Sequence, residues 1–293
     1  ARNVTDLSYF HVNYVKKNLK KNMANEIALA KKFFKAMGVY GAESYIHGFS
    51  GYGVECLIIY YKTFERMLND FIKIKENERK VIDIAKHYKN KNNVFYEINE
   101  SKLHSPLILV DPTWKERNVL ASLSWETFQK LQEKARKFLR KPSEKYFYEF
   151  EIDENKLKNS AKKKKAEFLH VVLETDRQEG DIAGTKLKKF ADFLTRELSR
   201  YFDVAEKEFS YEGEGKKAEL YLVAKKRKEV LRVGPPLERK EDAKKFKAVN
   251  KNTFVKNGIL HTREKLNFSA REFLEIFDKR KMNEMGIIGM NII

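Results

Sequence analysis

The spacing of apolar and polar residues predicts that the first third of the chain is helical. Between residues 26 and 37, five apolar residues recur at the spacing of one helix face: Ile27, Ala30, Phe33, Phe34 and Met37. Gly38 follows at the position where a helix C-terminal cap is expected. Three glycines between residues 48 and 53 then predict a turn-rich loop, and residues 54–68 predict a second, apolar helix.

The pattern becomes mixed after this helix. Residues 73–107 are rich in Lys, Asn and Glu, and we interpret them as a loosely packed excursion. Residues 107–110 predict a short buried strand. Ser124 is a suitable N-cap for a helix that Pro142 ends, and five residues form its apolar face: Phe128, Leu131, Ala135, Phe138 and Leu139. We place a domain boundary near residue 147.

The second half of the chain alternates strands with helices. In order, the pattern predicts a strand, a helix, two strands, a helix and a strand: residues 171–174, 187–198, 204–211, 218–226, 241–249 and 259–266. The first four elements form a β-α-β-β unit with a helix on one face of a sheet, and Gly234-Pro235-Pro236 punctuates the chain after it. The predicted fold class is therefore α+β, with a helical first domain (1–147) and an α+β second domain (148–293).

The composition excludes several classes of protein. Hydrophobic residues make up 42% of the chain and aromatic residues 13%, which excludes a disordered chain. No apolar segment reaches the about 20 residues that a transmembrane helix needs, and the N-terminus lacks the apolar region of a signal peptide. The single cysteine, Cys56, can form neither an internal disulfide nor a thiolate metal site. We interpret Cys56 as a core thiol of a cytoplasmic protein.

The charge points to a polyanionic partner. The chain has 60 basic and 42 acidic residues, a net charge of +18. Both halves are basic, so the excess is not a basic tail, and a folded chain with this field attracts polyanions. Two alternatives stay open: a Lys-rich protein that is simply soluble, and a membrane-surface protein, which the absence of a basic amphipathic helix disfavours.

Known catalytic motifs are absent from the sequence. It contains no His-Glu-x-x-His, no Cys-x-x-Cys, no Gly-x-Ser-x-Gly and no phosphate-binding P-loop. The six histidines are scattered, and no Asp-x-Asp pair is available for two-metal phosphoryl transfer. A hydrogen-bond donor, a cation and an aromatic hydroxyl do occur around the first predicted helices, as His11, Lys31 and Tyr40. Together they have the chemistry to clamp a triphosphate.

Several short strings resemble the archaeal-type CCA-adding enzymes, which are tRNA nucleotidyltransferases. They occur in the same order and at similar spacing: Phe10-His11, residues 31–35, Gly38-Val39-Tyr40-Gly41-Ala42-Glu43, Gly48-Phe49-Ser50-Gly51-Tyr52, Val110-Asp111-Pro112, Arg117-Asn118-Val119 and Lys141-Pro142-Ser143. The resemblance is most specific up to about residue 147 and continues by pattern through the β-α-β-β unit.

The resemblance implies a hook-shaped enzyme with a catalytic head, a helical neck, an α+β body and a helical tail, which rebuilds the CCA end of tRNA from CTP and ATP. It implies that His11, Lys31 and Tyr40 contact the phosphates and sugar of the nucleotide, and that Arg117 helps to recognise the base. The body and tail would hold the acceptor stem and TΨC arm of tRNA. Seven lysines are candidate RNA contacts: Lys16, Lys17, Lys35, Lys162, Lys163, Lys164 and Lys165.

The sequence also departs from the family pattern. Val12 stands where relatives often have a second histidine, and His47 where they often have arginine. The head with its Mg²⁺-binding carboxylates is expected to be missing, so that a partner head, as a separate subunit or a detached part, supplies Mg²⁺ and this chain alone is inactive. Two hypotheses follow: the nucleotide-selecting and tRNA-binding portion of a CCA-adding enzyme, or a stand-alone RNA-binding module without catalysis. A generic basic scaffold is a third.

Overall fold

The computed structural model describes residues 4–76, 78–148, 152–250 and 252–293, with residues 4–7 described by their backbone only. The chain divides into two compact units, Ala1–Glu151 and Ile152–Ile293. Both units combine helices with sheets, and the predicted α+β class is confirmed. None of the described helices is both long and apolar enough to cross a membrane.

Helices form most of the first unit. The helices are α1 (Val4–Asn18), α2 (Met23–Ala36), α3 (Gly51–Tyr61), α4 (Phe64–Phe71), α5 (Val94–Glu97) and α6 (Trp125–Arg140). A small sheet contains β1 (Lys80–Asp83), β2 (Leu107–Asp111) and β3 (Trp114–Asn118), where β2 pairs with β1 in parallel and with β3 antiparallel. Buried phenylalanines form the centre of the core, among them Phe33, Phe34, Phe49, Phe71 and Phe128.

Local signals position the helices around this core. The apolar face predicted at residues 27–37 is buried, and Gly38 has φ +65° after the end of α2, which confirms the predicted cap. Ser50 caps α3 by accepting a hydrogen bond from the amide of Gly53, and Ser124 caps α6 through the amide of Thr127.

The prediction of one helix over residues 54–68 is wrong. The helix is interrupted at Lys62, whose φ of +73° ends α3, and Thr63 caps the new helix α4 through the amide of Arg66. A lysine in the left-handed region stops helical hydrogen bonding as effectively as a glycine would.

The interpretation of residues 73–107 as a loosely packed excursion is also wrong. Its first strand, β1, pairs in register with β2 from Lys80↔Leu107 to Asp83↔Val110. Six buried residues form a separate small core: Tyr88, Val94, Ile98, Leu103, Ile108 and Val110. Ile108 and Val110 belong to β2, and the four residues that precede the strand, at 88, 94, 98 and 103, follow no regular period although they are buried in the same cluster.

The second unit is built on a four-stranded antiparallel sheet with strand order β10-β4-β6-β5. Its elements are α7 (Glu154–Lys164), β4 (Glu167–Thr175), α8 (Asp181–Leu198), β5 (Phe202–Ser210), β6 (Lys217–Lys226), α10 (Ala270–Glu275), α11 (Lys279–Glu284) and β10 (Ile287–Ile292). The predicted β-α-β-β unit is confirmed as β4-α8-β5-β6. Along β6, Leu220 and Leu222 face the core beneath α8, whereas Tyr221 and Val223 pack against α7. Both faces of this sheet are therefore covered, not one.

A second sheet of this unit was not predicted. It contains β7 (Glu229–Pro236), β8 (Thr253–Lys256) and β9 (Ile259–Lys265) in the order β7-β9-β8, with α9 (Lys240–Val249) against β7. Gly234 lies inside β7, where an added Cβ would meet the Phe246 ring at 2.7 Å. The expected helical tail is thus accompanied by strands: α9, α10 and α11 are helical, but β8 and β9 lie between α9 and α10, and β10 follows α11.

Candidate functional site

The first turns of α3 contact the residues predicted to bind a nucleotide. Gly51 lies against the Tyr40 hydroxyl, since an added Cβ would be 2.8 Å from that oxygen. The Tyr52 ring stacks on the His11 imidazole with 3.7 Å between centroids. Glu55, one turn later, accepts a 2.6 Å hydrogen bond from Lys31 Nζ. The Gly-rich loop and the helix after it therefore form one wall of the candidate site.

A buried carboxylate lies at the centre of the site. Asp111 ends β2, and its side chain is fully buried. Its Oδ1 accepts hydrogen bonds from the amide and hydroxyl of Thr113, both at 2.8 Å, and from Tyr52 Oη at 3.2 Å. Burial disfavours the charged form, but the bonds from Thr113 and Arg117 outweigh it and hold the pKa of Asp111 below its usual value.

Asp111 joins two of the predicted residues that are about a hundred positions apart in the chain. Its Oδ2 lies 2.7 Å from Arg117 Nη1 and 3.0 Å from His11 Nε2. A charge-assisted bond to a buried carboxylate fixes the guanidinium, although 37% of the Arg117 side chain is exposed. The arrangement therefore presents a rigid arginine to whatever binds at the surface.

His11 is neutral at physiological pH. Burial lowers its pKa below 6.5, and it outweighs the opposing effect of Asp111. Because the ionised Asp111 carboxylate can only accept, the 3.0 Å contact requires a hydrogen on Nε2. Arg117 Nη1, 3.1 Å from the same nitrogen, further opposes a second proton on the ring. His11 is thus a fixed neutral group beside a fixed cation.

Lys31 and Tyr40 contact α3 through Glu55 and Gly51. The pair of Lys31 with Glu55 joins α2 to α3, with about a quarter of each side chain exposed. Lys35, one turn after Lys31, lies over the Tyr40 ring with Nζ 5.3 Å from its centroid, in a cation–π contact. The Tyr40 hydroxyl therefore lies against the first residue of α3, with Lys35 over the Tyr40 ring, and Lys31 binds Glu55 one turn further along.

Three residues of this arrangement were not selected from the sequence: Tyr52, Glu55 and Asp111. Tyr52 and Asp111 do lie within the strings that resemble the CCA-adding enzymes, so those strings were the available signal. Glu55 lies in an otherwise apolar run, and an isolated charge there is the pattern of a residue with a specific partner.

The other predicted lysines are surface residues. Lys16 and Lys17 are exposed in the last turn of α1. In the second unit, residues 162–165 are exposed at the end of α7, where Lys164 forms a 2.6 Å ion pair with Glu206. Their contact with RNA stays a prediction.

The described residues do not fit a magnesium site. Within the described ranges, no group of three His, Cys, Asp or Glu side chains is placed to hold a metal ion. The Asp111 carboxylate is occupied by Arg117, His11, Thr113 and Tyr52. No catalytic step of this chain is therefore assigned to a metal held by these residues.

Cys56 is buried beneath the site, as predicted. Burial raises the pKa of its thiol to about 12, so the reactive thiolate is scarce at pH 8. We expect Ellman's reagent to label the folded chain at least roughly 100-fold more slowly than the urea-unfolded chain. Because the chain has one cysteine, absorbance at 412 nm reports this residue alone. Stoichiometric labelling of the folded chain within minutes would contradict its burial.

The chain is similar in sequence to known proteins. The family described as tRNA nucleotidyltransferase, second domain, matches residues 25–148. The CCA-adding enzyme of Nanoarchaeum equitans is 36% identical over 200 residues, which are 68% of this chain and 46% of that protein. That of Thermococcus kodakarensis is 33% identical over 208 residues, 68% of this chain and 44% of that protein. That of Methanosarcina mazei is 30% identical over 251 residues, 84% of this chain and 52% of that protein.

The chain spans about half the length of these curated relatives. The matched residues 25–148 include Lys31, Tyr40, Asp111 and Arg117, and they contain the whole of α3. The chain therefore belongs to the family of the CCA-adding enzymes, and it carries the second domain of the tRNA nucleotidyltransferases.

Proposed function

We propose that this chain is the nucleotide-selecting and tRNA-binding portion of a CCA-adding enzyme, which adds C, C and A to the 3′ end of tRNA from CTP and ATP. The observation that carries the proposal is the set of contacts made by α3, whose first turns contact Tyr40, His11 and Lys31. Asp111 connects His11, and Tyr52 of α3, to Arg117. A binding module without nucleotide chemistry has no need of this arrangement. A tRNA-processing role also agrees with a cytoplasmic location.

Arg117 is the residue that we assign to base selection. The bond to buried Asp111 fixes its position, and a fixed planar donor discriminates between base edges better than a mobile one. Lys31 and Tyr40 offer a cation and a hydroxyl to the phosphates and sugar. Neutral His11, whose Nε2 hydrogen is donated to Asp111, offers Nδ1 as an acceptor to a sugar hydroxyl. Glu55 neutralises Lys31 when no nucleotide is bound, and an incoming phosphate competes with it for the same ammonium group.

The chemical step is assigned to a partner head. Because the described residues offer no magnesium site, the Mg²⁺ ligands for attack of the tRNA 3′-hydroxyl on the α-phosphate belong to a nucleotidyltransferase head. Helix α1 supports such a partner, since Tyr9 is 69% exposed and its neighbours Phe10 and Val12 are also exposed. Three neighbouring apolar side chains in water indicate a surface that another protein covers.

Binding of tRNA is supported by the net charge of +18 and by the exposed predicted lysines: Lys16, Lys17, Lys35, Lys162, Lys163, Lys164 and Lys165. Contacts of this kind hold the backbone and the shape of duplex RNA, as expected for the acceptor stem and TΨC arm. They predict an affinity that falls steeply with salt concentration.

The test is incorporation of labelled CMP and AMP into tRNA that lacks its CCA end, with this chain alone and with a separately expressed head. We expect activity only in the mixture. We expect Arg117→Ala to lower incorporation by roughly 10-fold or more and to reduce discrimination between CTP and ATP. Its affinity for tRNA, measured by filter binding, should change by less than about 2-fold, because Arg117 is one cation among many.

Two outcomes would count against this assignment. Equal losses of tRNA affinity and incorporation in Arg117→Ala would exclude a role in base selection. Tight tRNA binding with no head that restores incorporation would favour the alternative, a stand-alone RNA-binding module. Lys163→Ala, at an exposed position of α7, is the control, because it should leave nucleotide choice unchanged.

A further inference from the structure

Residues 86–97, the basic–aromatic segment, combine lysines with exposed aromatic rings. Lys86, Lys89 and Lys91 are all exposed, and no acidic residue occurs between residues 84 and 96. Tyr96 is 87% exposed, more than any other large apolar or aromatic side chain described, and Phe95 beside it is also exposed. The proposed nucleotide site uses none of these residues.

The segment is held rigidly despite its polar surface. Tyr88 and Val94 are buried in the small core against β2. The Tyr88 hydroxyl donates a 2.8 Å hydrogen bond to the carbonyl of Lys115. The backbone amide of Tyr88 donates a 2.9 Å hydrogen bond to the Asp83 carboxylate. An exposed ring on a fixed support loses little entropy when a planar group stacks on it.

The basic–aromatic segment is also attached to the hairpin that carries the candidate site. His87 Nε2 lies 3.1 Å from the carbonyl oxygen of Pro112, the residue after Asp111. Glu97, next to Tyr96, forms a 3.0 Å ion pair with Lys115, two residues before Arg117 on β3. The exposed rings of α5 are therefore bonded, through their neighbours, to the β2–β3 hairpin that carries the arginine we assign to base selection.

Single exposed apolar residues are common on protein surfaces. Here, however, the neighbouring rings of Phe95 and Tyr96 are both exposed and follow three lysines. The segment that carries them is bonded to the hairpin of the proposed nucleotide site. Aromatic rings with lysines are the combination that binds single-stranded nucleic acid: the rings stack on unpaired bases and the lysines neutralise phosphates. Duplex RNA does not expose its base faces to such a platform. The three lysines, with no acidic residue between residues 84 and 96, also disfavour a basic or apolar protein partner.

We propose that the basic–aromatic segment binds the single-stranded 3′ end of the RNA substrate, with Tyr96 as the stacking platform and Lys86, Lys89 and Lys91 on the phosphates. This inference rests on the proposed function, because it assumes that RNA reaches the site at Arg117. Residues 86–97 would bind the unpaired nucleotides that precede the growing 3′ end.

The test uses two fluorescent RNA hairpins with the same acceptor-stem duplex, one blunt and one with a single-stranded 3′ tail. The readout is the dissociation constant from fluorescence anisotropy at one fixed salt concentration. We expect Tyr96→Ala to weaken binding of the tailed hairpin by about 5- to 30-fold and to leave the blunt hairpin unchanged. Tyr96→Phe keeps the ring and should bind both hairpins as the wild type does.

Tyr148→Ala is the matched control, since Tyr148 is another exposed tyrosine of the first unit. Unchanged affinity of Tyr96→Ala for the tailed hairpin would overturn the inference and leave the proposed function intact. Equal weakening for both hairpins would overturn it too, since it would show that Tyr96 does not read the tail. Failure of the wild-type chain to bind either hairpin would contradict the proposed function itself.

Discussion

Asp111→Asn is expected to lose about 2–4 kcal/mol of the free energy of unfolding, measured by urea titration with circular dichroism. The buried carboxylate accepts hydrogen bonds on both oxygens, from Thr113 and Tyr52 on one side and from Arg117 and His11 on the other. Asparagine keeps one acceptor oxygen, so its amide group must face donors on the other side. The exposure of Arg117 lets its guanidinium reach water, which keeps the loss below that of a fully buried pair.

Glu133→Gln is the control for this variant. It removes a carboxylate from an exposed ion pair with Lys137 in the same unit, and the change should stay within about 0.5 kcal/mol. An Asp111→Asn chain that unfolds at the same urea concentration as the wild type would contradict the assignment of Asp111 as the anchor of the site. Incorporation with a partner head should also fall, because Arg117 is no longer fixed.

The free energy of unfolding should depend on pH differently in the wild type and in Asp111→Asn. The pKa of Asp111 in the folded chain lies below its ordinary value of 3.8, so its charge stabilises the fold above that value and the contribution is lost as the pH falls through the folded pKa. The pKa of His11 lies below 6.5, so stability already declines as the pH falls below 6.5. The difference in the free energy of unfolding between the wild type and Asp111→Asn should therefore become smaller only below about pH 4. Urea titrations at pH 7, 5 and 3 measure it.

Local signals were sufficient for about half of the helices and strands; β1, β3, β7, β8 and β10, for example, were not predicted. Ser50 and Ser124 cap helices where serine precedes an apolar helical pattern, and Gly38 ends α2 where its lack of a side chain allows a positive φ. These features depend on neighbours within one helical turn. The break at Lys62 does not, because a lysine carries no intrinsic preference for the left-handed region that it occupies.

The packing of residues 73–107 and the geometry of the candidate functional site depend on contacts between residues that are distant in the sequence. The residues of the small core at 88–103 are irregularly spaced, and their burial follows from the pairing of β1 with β2. Asp111 and His11 are 100 positions apart, and no periodicity relates them. The resemblance to the CCA-adding enzymes supplied His11 and Arg117, but the geometry was needed to show that Asp111 joins them and that α3 supports the whole arrangement.

Asn118→Ala is expected to cause a loss of about 3–5 kcal/mol, the largest among the stability changes considered. Asn118 is buried, and its Oδ1 accepts 3.0 Å hydrogen bonds from the amides of Leu109 and Leu120. Its Nδ2 donates to the carbonyl of Lys102 at 2.8 Å and to Ser105 Oγ at 2.9 Å. Alanine removes one partner from each of these four groups in the interior, and only Ser105 Oγ keeps another among the described residues, through its bond to the carbonyl of Leu107.

The same substitution should loosen the segment that Asn118 fastens. The residue lies directly after Arg117, and its bonds join β3 both to β2 and to the end of the 73–107 excursion, so native-state hydrogen exchange should accelerate at the amides of Leu109 and Leu120. Asn69→Ala removes a partly exposed asparagine that bonds to one carbonyl within α4, and its effect should stay within about 0.5 kcal/mol. A loss below about 1 kcal/mol for Asn118→Ala would show that water replaces these bonds and that the hairpin carrying Arg117 is held by apolar packing alone.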